Sequence, residues 1–155
     1  MNDAALRMGW RERVALLIHR QLDRRLSPFG VWLMRRTKGS ITARYKVHAL
    51  VLATTGRKSG RRRAVVLQYF PDGDAMIVVA TNDGGATHPG WYLNLVTSAN
   101  AEVEVGGRRL NVSATELADD DAERWWRRIL EVAPDYERYA RAARRTFPIL
   151  RLAPS

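Results

Sequence analysis

The sequence predicts an α+β fold, a small barrel of antiparallel strands with helices at its start, middle and end. Three observations carry this. β-Branched and apolar runs begin near position 47 and are separated by turns bearing Gly56, Gly60, Gly73, Gly106 and Gly107. Apolar residues at helical spacing precede that region, and charged helical segments follow it. The 155 residues contain no low-complexity linker, and they suffice for one domain with a sizeable core.

The elements follow in order. Residues 4–25 read as an amphipathic helix, with Trp10, Val14, Leu17 and Ile18 on one face and Arg13, Arg20, Arg24 and Arg25 off it. Such a helix packs either on the barrel or on an anionic membrane surface. Ser27-Pro28 interrupts it, and Phe29 to Met34 form a short second helix. Val47 to Thr55 is the first strand, residues 56–60 a turn, and Arg63 to Phe70 the second strand. Pro71-Asp72-Gly73-Asp74 is a hairpin turn, Ala75 to Thr81 the third strand, and Asp83-Gly84-Gly85 opens a loop. Pro89 suits the first turn of a short helix carrying Trp91 to Val96. Ala101 to Val105 and Arg109 to Thr115 form a hairpin. Asp119 to Val132 is a helix whose acidic first turn suits the macrodipole. Pro134 opens a last helix reaching about Arg145, and Ile149-Leu150 return as a strand. The expected organisation is one domain over 1–155, with a helical segment at 1–40 and the barrel at 45–153.

Composition removes several chemistries. There is no cysteine, hence no disulfide, thiolate metal site or cysteine nucleophile. His19, His48 and His88 lack ligand-like spacing, so no metal site is expected. His48 reads as a core residue. No GxSxG elbow supports a serine hydrolase, and Asp119-Asp120-Asp121 is a helix start. No apolar run is long enough to span a membrane, and arginines break up the N-terminal segment, so neither a membrane span nor a secretory signal is expected. The net charge of +10 is uneven. Residues 1–63 hold 16 Lys or Arg against 3 Asp or Glu, a balance of +13, whereas residues 64–155 hold 10 against 13, a balance of −3. The first part therefore attracts an anionic partner: a phosphorylated cofactor, an acidic membrane or nucleic acid. No nucleic-acid reading module is present, so that partner is not expected.

Three segments carry candidate sites. In Gly56-Arg57-Lys58-Ser59-Gly60 the glycines let amides converge on an anion, Arg57 and Lys58 add charge, Ser59 adds a hydroxyl, and Arg63 adds a forked donor. Alone, it reads rather as an ordinary basic hairpin turn. His88-Pro89-Gly90-Trp91-Tyr92-Leu93-Asn94-Leu95 brings a helix N-terminus and two aromatics, which either wall a flat ring or pack a core. Tyr136 and Tyr139 share a helical face and either line a substrate pocket or lie on the surface.

Taken in order, TTGRKSG, a basic residue, a DG hairpin, a GG loop, HPxWYxNL, a GG hairpin, PxYxxY and a late R-x-x-P resemble the deazaflavin-dependent nitroreductase family, also described as quinone reductases using reduced coenzyme F(420). The resemblance spans residues 45 to 153. It implies an FMN-binding split-barrel-like fold. It also implies coenzyme F(420), an 8-hydroxy-5-deazaflavin with a ribityl phosphate and an acidic lactyl-glutamyl tail. Carried over, Arg57, Lys58, Ser59, Gly60 and Arg63 hold phosphate and tail. Val65, Val66, Ala80, Thr81 and Asn82 approach the ring, and Pro89, Trp91, Tyr92 and Asn94 close the site. Tyr136 and Tyr139 face substrate and are the candidate proton donors, and no other catalytic residue is assigned. One departure stands out: Val66 replaces a proline usual in the family and restores a backbone N–H, and Val65 offers no polar side chain.

The implied activity is hydride transfer from the reduced cofactor to an electron-poor acceptor such as a quinone or nitro compound. Two alternatives are a non-catalytic lipid- or ligand-binding relative and an FMN-binding reductase. The expected place is the cytoplasm, with peripheral contact to the inner face of the membrane.

Overall fold

The computed structural model describes residues 27–40, 42 and 47–155. The helix expected over 4–25 lies outside the described residues. Four α-helices are present among the described residues: α1 (Ser27–Thr37), α2 (Gly90–Thr97), α3 (Asp119–Val132) and α4 (Asp135–Ala143). Seven strands form one curled antiparallel sheet, a split barrel: β1 (Ala49–Thr55), β2 (Arg62–Gln68), β3 (Phe70–Asp72), β4 (Ala75–Val79), β5 (Asn100–Val105), β6 (Arg108–Glu116) and β7 (Ile149–Pro154). Their order is β2-β1-β5-β6-β7-β4-β3. Thus β2 is an edge strand, pairing with β1 alone from Ala49↔Gln68 to Thr55↔Arg62. An edge strand keeps N–H and C=O groups free on its outer side, and this one packs against α1 and lines the cleft described below.

Strand alternation sorts the core. In β4, Met76 and Val78 point into the barrel with Leu50, Leu52, Val103, Val112 and Leu152. Ile77 and Val79 point the other way, onto Ile129 of α3, Tyr136 of α4 and Phe147. A third cluster seats Val31 of α1 on Val51 and Val66. Burying a side chain of that size contributes about 1.5–3 kcal/mol to seating α1 over the edge strand.

Several expected boundaries shift for physical reasons. The second strand ends at Gln68, and Phe70–Asp72 form a short strand of their own. Pro71 lies on β3, which is the other edge of the sheet, where a missing N–H does no harm. Pro89 precedes α2 in extended conformation instead of entering it. The last strand runs on to Pro154 and sits between β6 and β4, so it is central. His48 is exposed, against expectation. It precedes β1, and its ring lies 5.4 Å from that of Tyr69.

Candidate functional site

One cleft of about 840 Å³ runs along β2, a volume within the usual range for small-molecule sites. Its wall brings together residues from distant parts of the chain: Val31, Trp32 and Arg35 of α1, residues 56–59 of the turn, β2 from Arg62 to Gln68, Thr81 to Asp83, Pro89, Gly90, Trp91 and Asn94, and Tyr136 of α4. β2 sets the cleft's length, since seven strand residues span roughly 20 Å.

The basic turn precedes the start of β2. It is closed by its own bonds: Gly56 N–H donates to the Arg61 carbonyl at 2.8 Å and Gly60 N–H to the Gly56 carbonyl at 2.7 Å. The two glycines serve different needs. Gly60 has φ +65°, a left-handed conformation. A Cβ on Gly56 would stand 2.8 Å from Ser59 Oγ and 3.2 Å from the Arg61 carbonyl. The turn is anchored from below by Asn94, which is 7% exposed. Its Oδ1 accepts from the Arg57 backbone N–H at 3.1 Å, and its Nδ2 donates to Thr54 Oγ1 at 3.0 Å. Asn94 therefore joins α2, β1 and the turn, and fixes the loop's register against the barrel.

Charge on the cleft wall is one-sided. Arg35, Arg57, Lys58, Arg62 and Arg63 line it, against Asp83 as the single carboxylate. Arg35 is bidentate to Glu104, with Nε 3.1 and 3.0 Å from the two carboxylate oxygens. That bond raises the Arg35 pKa and holds the Glu104 carboxyl below the usual carboxylate range. Arg62 pairs with Glu102. Arg57, Lys58 and Arg63 form no ion pair among the described residues, although Arg57 Nη1 reaches Asn94 Oδ1 at 3.4 Å and Ser59 Oγ accepts from the Arg61 N–H at 3.3 Å.

The far end of β2 has another character. Tyr136 is 5% exposed, packs edge-on against Phe70 at 5.8 Å, and donates from its hydroxyl to Gln68 Oε1 at 3.4 Å. Burial pushes its pKa far above the ordinary tyrosine value, with Tyr139 and Asp83 adding to the shift. The hydroxyl keeps its proton and acts as a hydrogen-bond donor. Beside it, Asn82, Asp83 and Gly84 follow one another at φ +48°, +51° and +78°. For ordinary residues this region costs roughly 1–2 kcal/mol each, less for Asn and Asp. The Asn82 amide helps hold the run, donating to the Thr87 carbonyl at 3.0 Å.

Of the expected residues, Arg57, Lys58, Ser59, Arg63, Val65, Val66, Thr81, Asn82, Pro89, Trp91, Asn94 and Tyr136 line this cleft. Four others do not. Gly60 shapes the turn. Ala80 is fully buried. Tyr92 turns away to donate to Glu116 at 2.8 Å, and its ring meets that of His88 at 4.8 Å. Tyr139 abuts Gly84, whose Cβ position lies 3.4 Å from the Tyr139 carbonyl. Val66 faces α1, while Val65 faces the barrel core. Sequence reasoning missed Trp32, Arg35, Thr54, Arg62 and Gln68 as wall residues. Arg62 adjoins the predicted turn and was within reach of that reasoning. The others depend on pairings between distant segments.

Comparison with known proteins adds a family. The family model described as F(420)H(2)-dependent quinone reductase matches residues 28–154. An F(420)H(2)-dependent quinone reductase of Mycobacterium tuberculosis is 36% identical over 105 residues, covering 66% of this chain and 70% of that protein. A solved structure described as an F(420)-H2 dependent reductase aligns with TM-score 0.61 at 30% identity, covering 67% of this chain and 92% of that one. A second, described as a domain-swapped dimer, aligns with TM-score 0.62 at 27% identity, covering 81% and 99%.

Proposed function

The chain belongs to the F(420)H(2)-dependent quinone reductase family, and from that premise we infer that its cleft binds coenzyme F(420) for hydride transfer to a quinone. It is a deazaflavin-dependent oxidoreductase. The observation that carries the binding reading is the one-sided charge of the cleft, with Arg57, Lys58 and Arg63 in no ion pair among the described residues and beside a glycine turn. That donor set fits a phosphate followed by an acidic tail. A flat ring suits the stretch between Val65, Trp91 and Thr81, where the wall is largely apolar. The FMN and non-catalytic alternatives are not favoured, because the matching family and relatives are named for F(420).

When bound and reduced, the deazaflavin supplies two electrons as hydride. The chain's own work is to bind, orient and exclude water. Arg57, Lys58, Ser59 and Arg63 hold the anionic portion. Asn94 keeps that turn in place from within. The Tyr136 hydroxyl, held protonated, turns its one O–H from the long bond to Gln68 Oε1 toward an oxygen of the acceptor as negative charge develops there. Solvent supplies the proton that completes reduction of the acceptor. The test is anaerobic mixing of the reduced cofactor, the protein and a water-soluble quinone. Protein-dependent loss of reduced-cofactor absorbance is expected. A protein that binds the cofactor yet oxidises it with neither quinones nor nitro compounds would contradict the reading.

Peripheral membrane contact is a second reading with its own support. Phe29 and Trp32 stack at 5.7 Å and are 58% and 55% exposed, beside Arg35 and Arg36. Among the described residues no helix is long and apolar enough to cross a membrane. Anionic liposomes should co-float the intact protein and not a Phe29→Ser, Trp32→Ser variant. Equal flotation removes this reading.

A further inference from the structure

Arg145 follows α4 by two residues and is not part of the cleft wall. Its guanidinium nonetheless gathers one loop. Nε donates to the Gly85 carbonyl at 3.0 Å. Nη2 reaches the carbonyls of Ala80, Thr81 and Thr87, each at 3.1 Å. Nη1 stands 3.3 Å from His88 Nδ1. Because Arg can only donate, His88 Nδ1 is the acceptor there. The guanidinium also lies over the Phe147 ring, at 4.7 Å from its centroid. Every bonded partner is neutral, and Arg145 has no carboxylate partner among the described residues. Burial lowers its pKa, as expected for a cation taken from water without a counter-charge.

The positions of those acceptors decide what this arrangement does. Ala80 and Thr81 lie where the chain leaves β4. Gly85, Thr87 and His88 lie where it approaches α2. Between them stand Asn82, Asp83 and Gly84, all with positive φ, and Asn82 and Asp83 line the cleft. Left-handed runs of this kind persist only where the surroundings over-determine them. A planar fork with five N–H donors can tie both ends of such a loop together, and a lysine ammonium cannot match that geometry.

We propose that Arg145 is a positioning residue: it laces both ends of the loop 80–88 and thereby sets Thr81 and Asn82 against the bound cofactor. The cofactor half of this proposal rests on the cleft being the deazaflavin site, while the loop half does not. Arg145→Lys and Arg145→Ala test it by two readouts, amide hydrogen exchange of the cofactor-free protein and cofactor titration. Exchange at 81–88 should accelerate while β1, β5 and β6 keep their protection. The cofactor Kd should rise roughly tenfold in Arg145→Lys, the size of one or two lost charge-assisted hydrogen bonds. Faster loop exchange with unchanged affinity would overturn the positioning role. Loop exchange that stays slow in both variants would overturn the lacing itself. Acceleration spread over every strand would make Arg145 a general stability residue and also overturn the proposal. If the unaltered protein fails to bind the cofactor, the cleft reading falls, and the exchange result still decides the loop.

Discussion

The turn 56–60 and the loop 80–88 serve the same cleft, one before the start of β2 and the other beside Tyr136 at its end, yet they are held by different means. The turn closes on itself through Gly56 and Gly60 and needs only Asn94 beneath it. The loop is held largely from outside, by Arg145 from 57 to 65 positions away and by contact with Tyr139. A locally closed turn presents charge at little conformational cost. A loop tied by a distant side chain can keep a strained backbone that its own sequence would not keep. On this account the turn fixes where the anion sits, and the loop fixes how the ring is faced.

Substitutions can break or sharpen that contrast. The largest effect is expected from Asn94→Leu, which leaves Thr54 Oγ1 and the Arg57 N–H without their partner. Each unpaired buried group costs about 1–3 kcal/mol. Denaturant unfolding should show the loss, and cofactor affinity should fall with it. Lys58→Ala should leave the unfolding midpoint unchanged but weaken the whole cofactor by roughly 10–100-fold, for one charge-assisted contact of about 1.5–3 kcal/mol. Binding of the deazaflavin fragment lacking phosphate and tail should be untouched by Lys58→Ala. Equal losses for fragment and whole cofactor would erase the division between the two regions.

A smaller effect is expected at Tyr136. Its folded-state pKa is raised, so its contribution to stability is present below the ordinary tyrosine value of about 10 and is lost as pH rises beyond it. Tyr136→Phe should therefore reduce the alkaline loss of stability followed by thermal melts. Near neutral pH it should cost about 1 kcal/mol or less, for one long hydrogen bond. The smallest effect is expected at Arg35→Gln. Its side chain is 43% exposed, and such a pair with Glu104 contributes about 0.2–1 kcal/mol. Because the Glu104 pKa is lowered, that contribution is present above the usual carboxylate range and fades as pH falls through it. Acid melts of the two proteins should converge.

The same contrast explains what was legible in the sequence. The turn announces itself, because both glycines that shape it lie within it and its cations are adjacent. The barrel strands are legible from their β-branched and apolar runs between glycine turns, and the helix start at Asp119 from its acidic first turn. Arg145 is visible only as a motif letter, since its partners are backbone carbonyls that carry no side-chain signature. Tyr139 shares a helical face with Tyr136, and Tyr92 adjoins Trp91 in the chain, but spacing alone does not say that Gly84 and Glu116 will draw them away. Trp32 and Arg35 reach the wall because Val31 docks α1 on Val66, a pairing between distant parts of the chain.

The cations beside the turn are proposed to take the anionic portion of a deazaflavin cofactor. Fluorescence titration of the purified protein with coenzyme F(420), set beside FMN and repeated at rising salt, tests this most directly. Saturable F(420) binding that weakens with salt and with Lys58→Ala is expected, with much poorer binding of FMN. Absence of F(420) binding, or FMN binding of equal strength, would contradict the proposal.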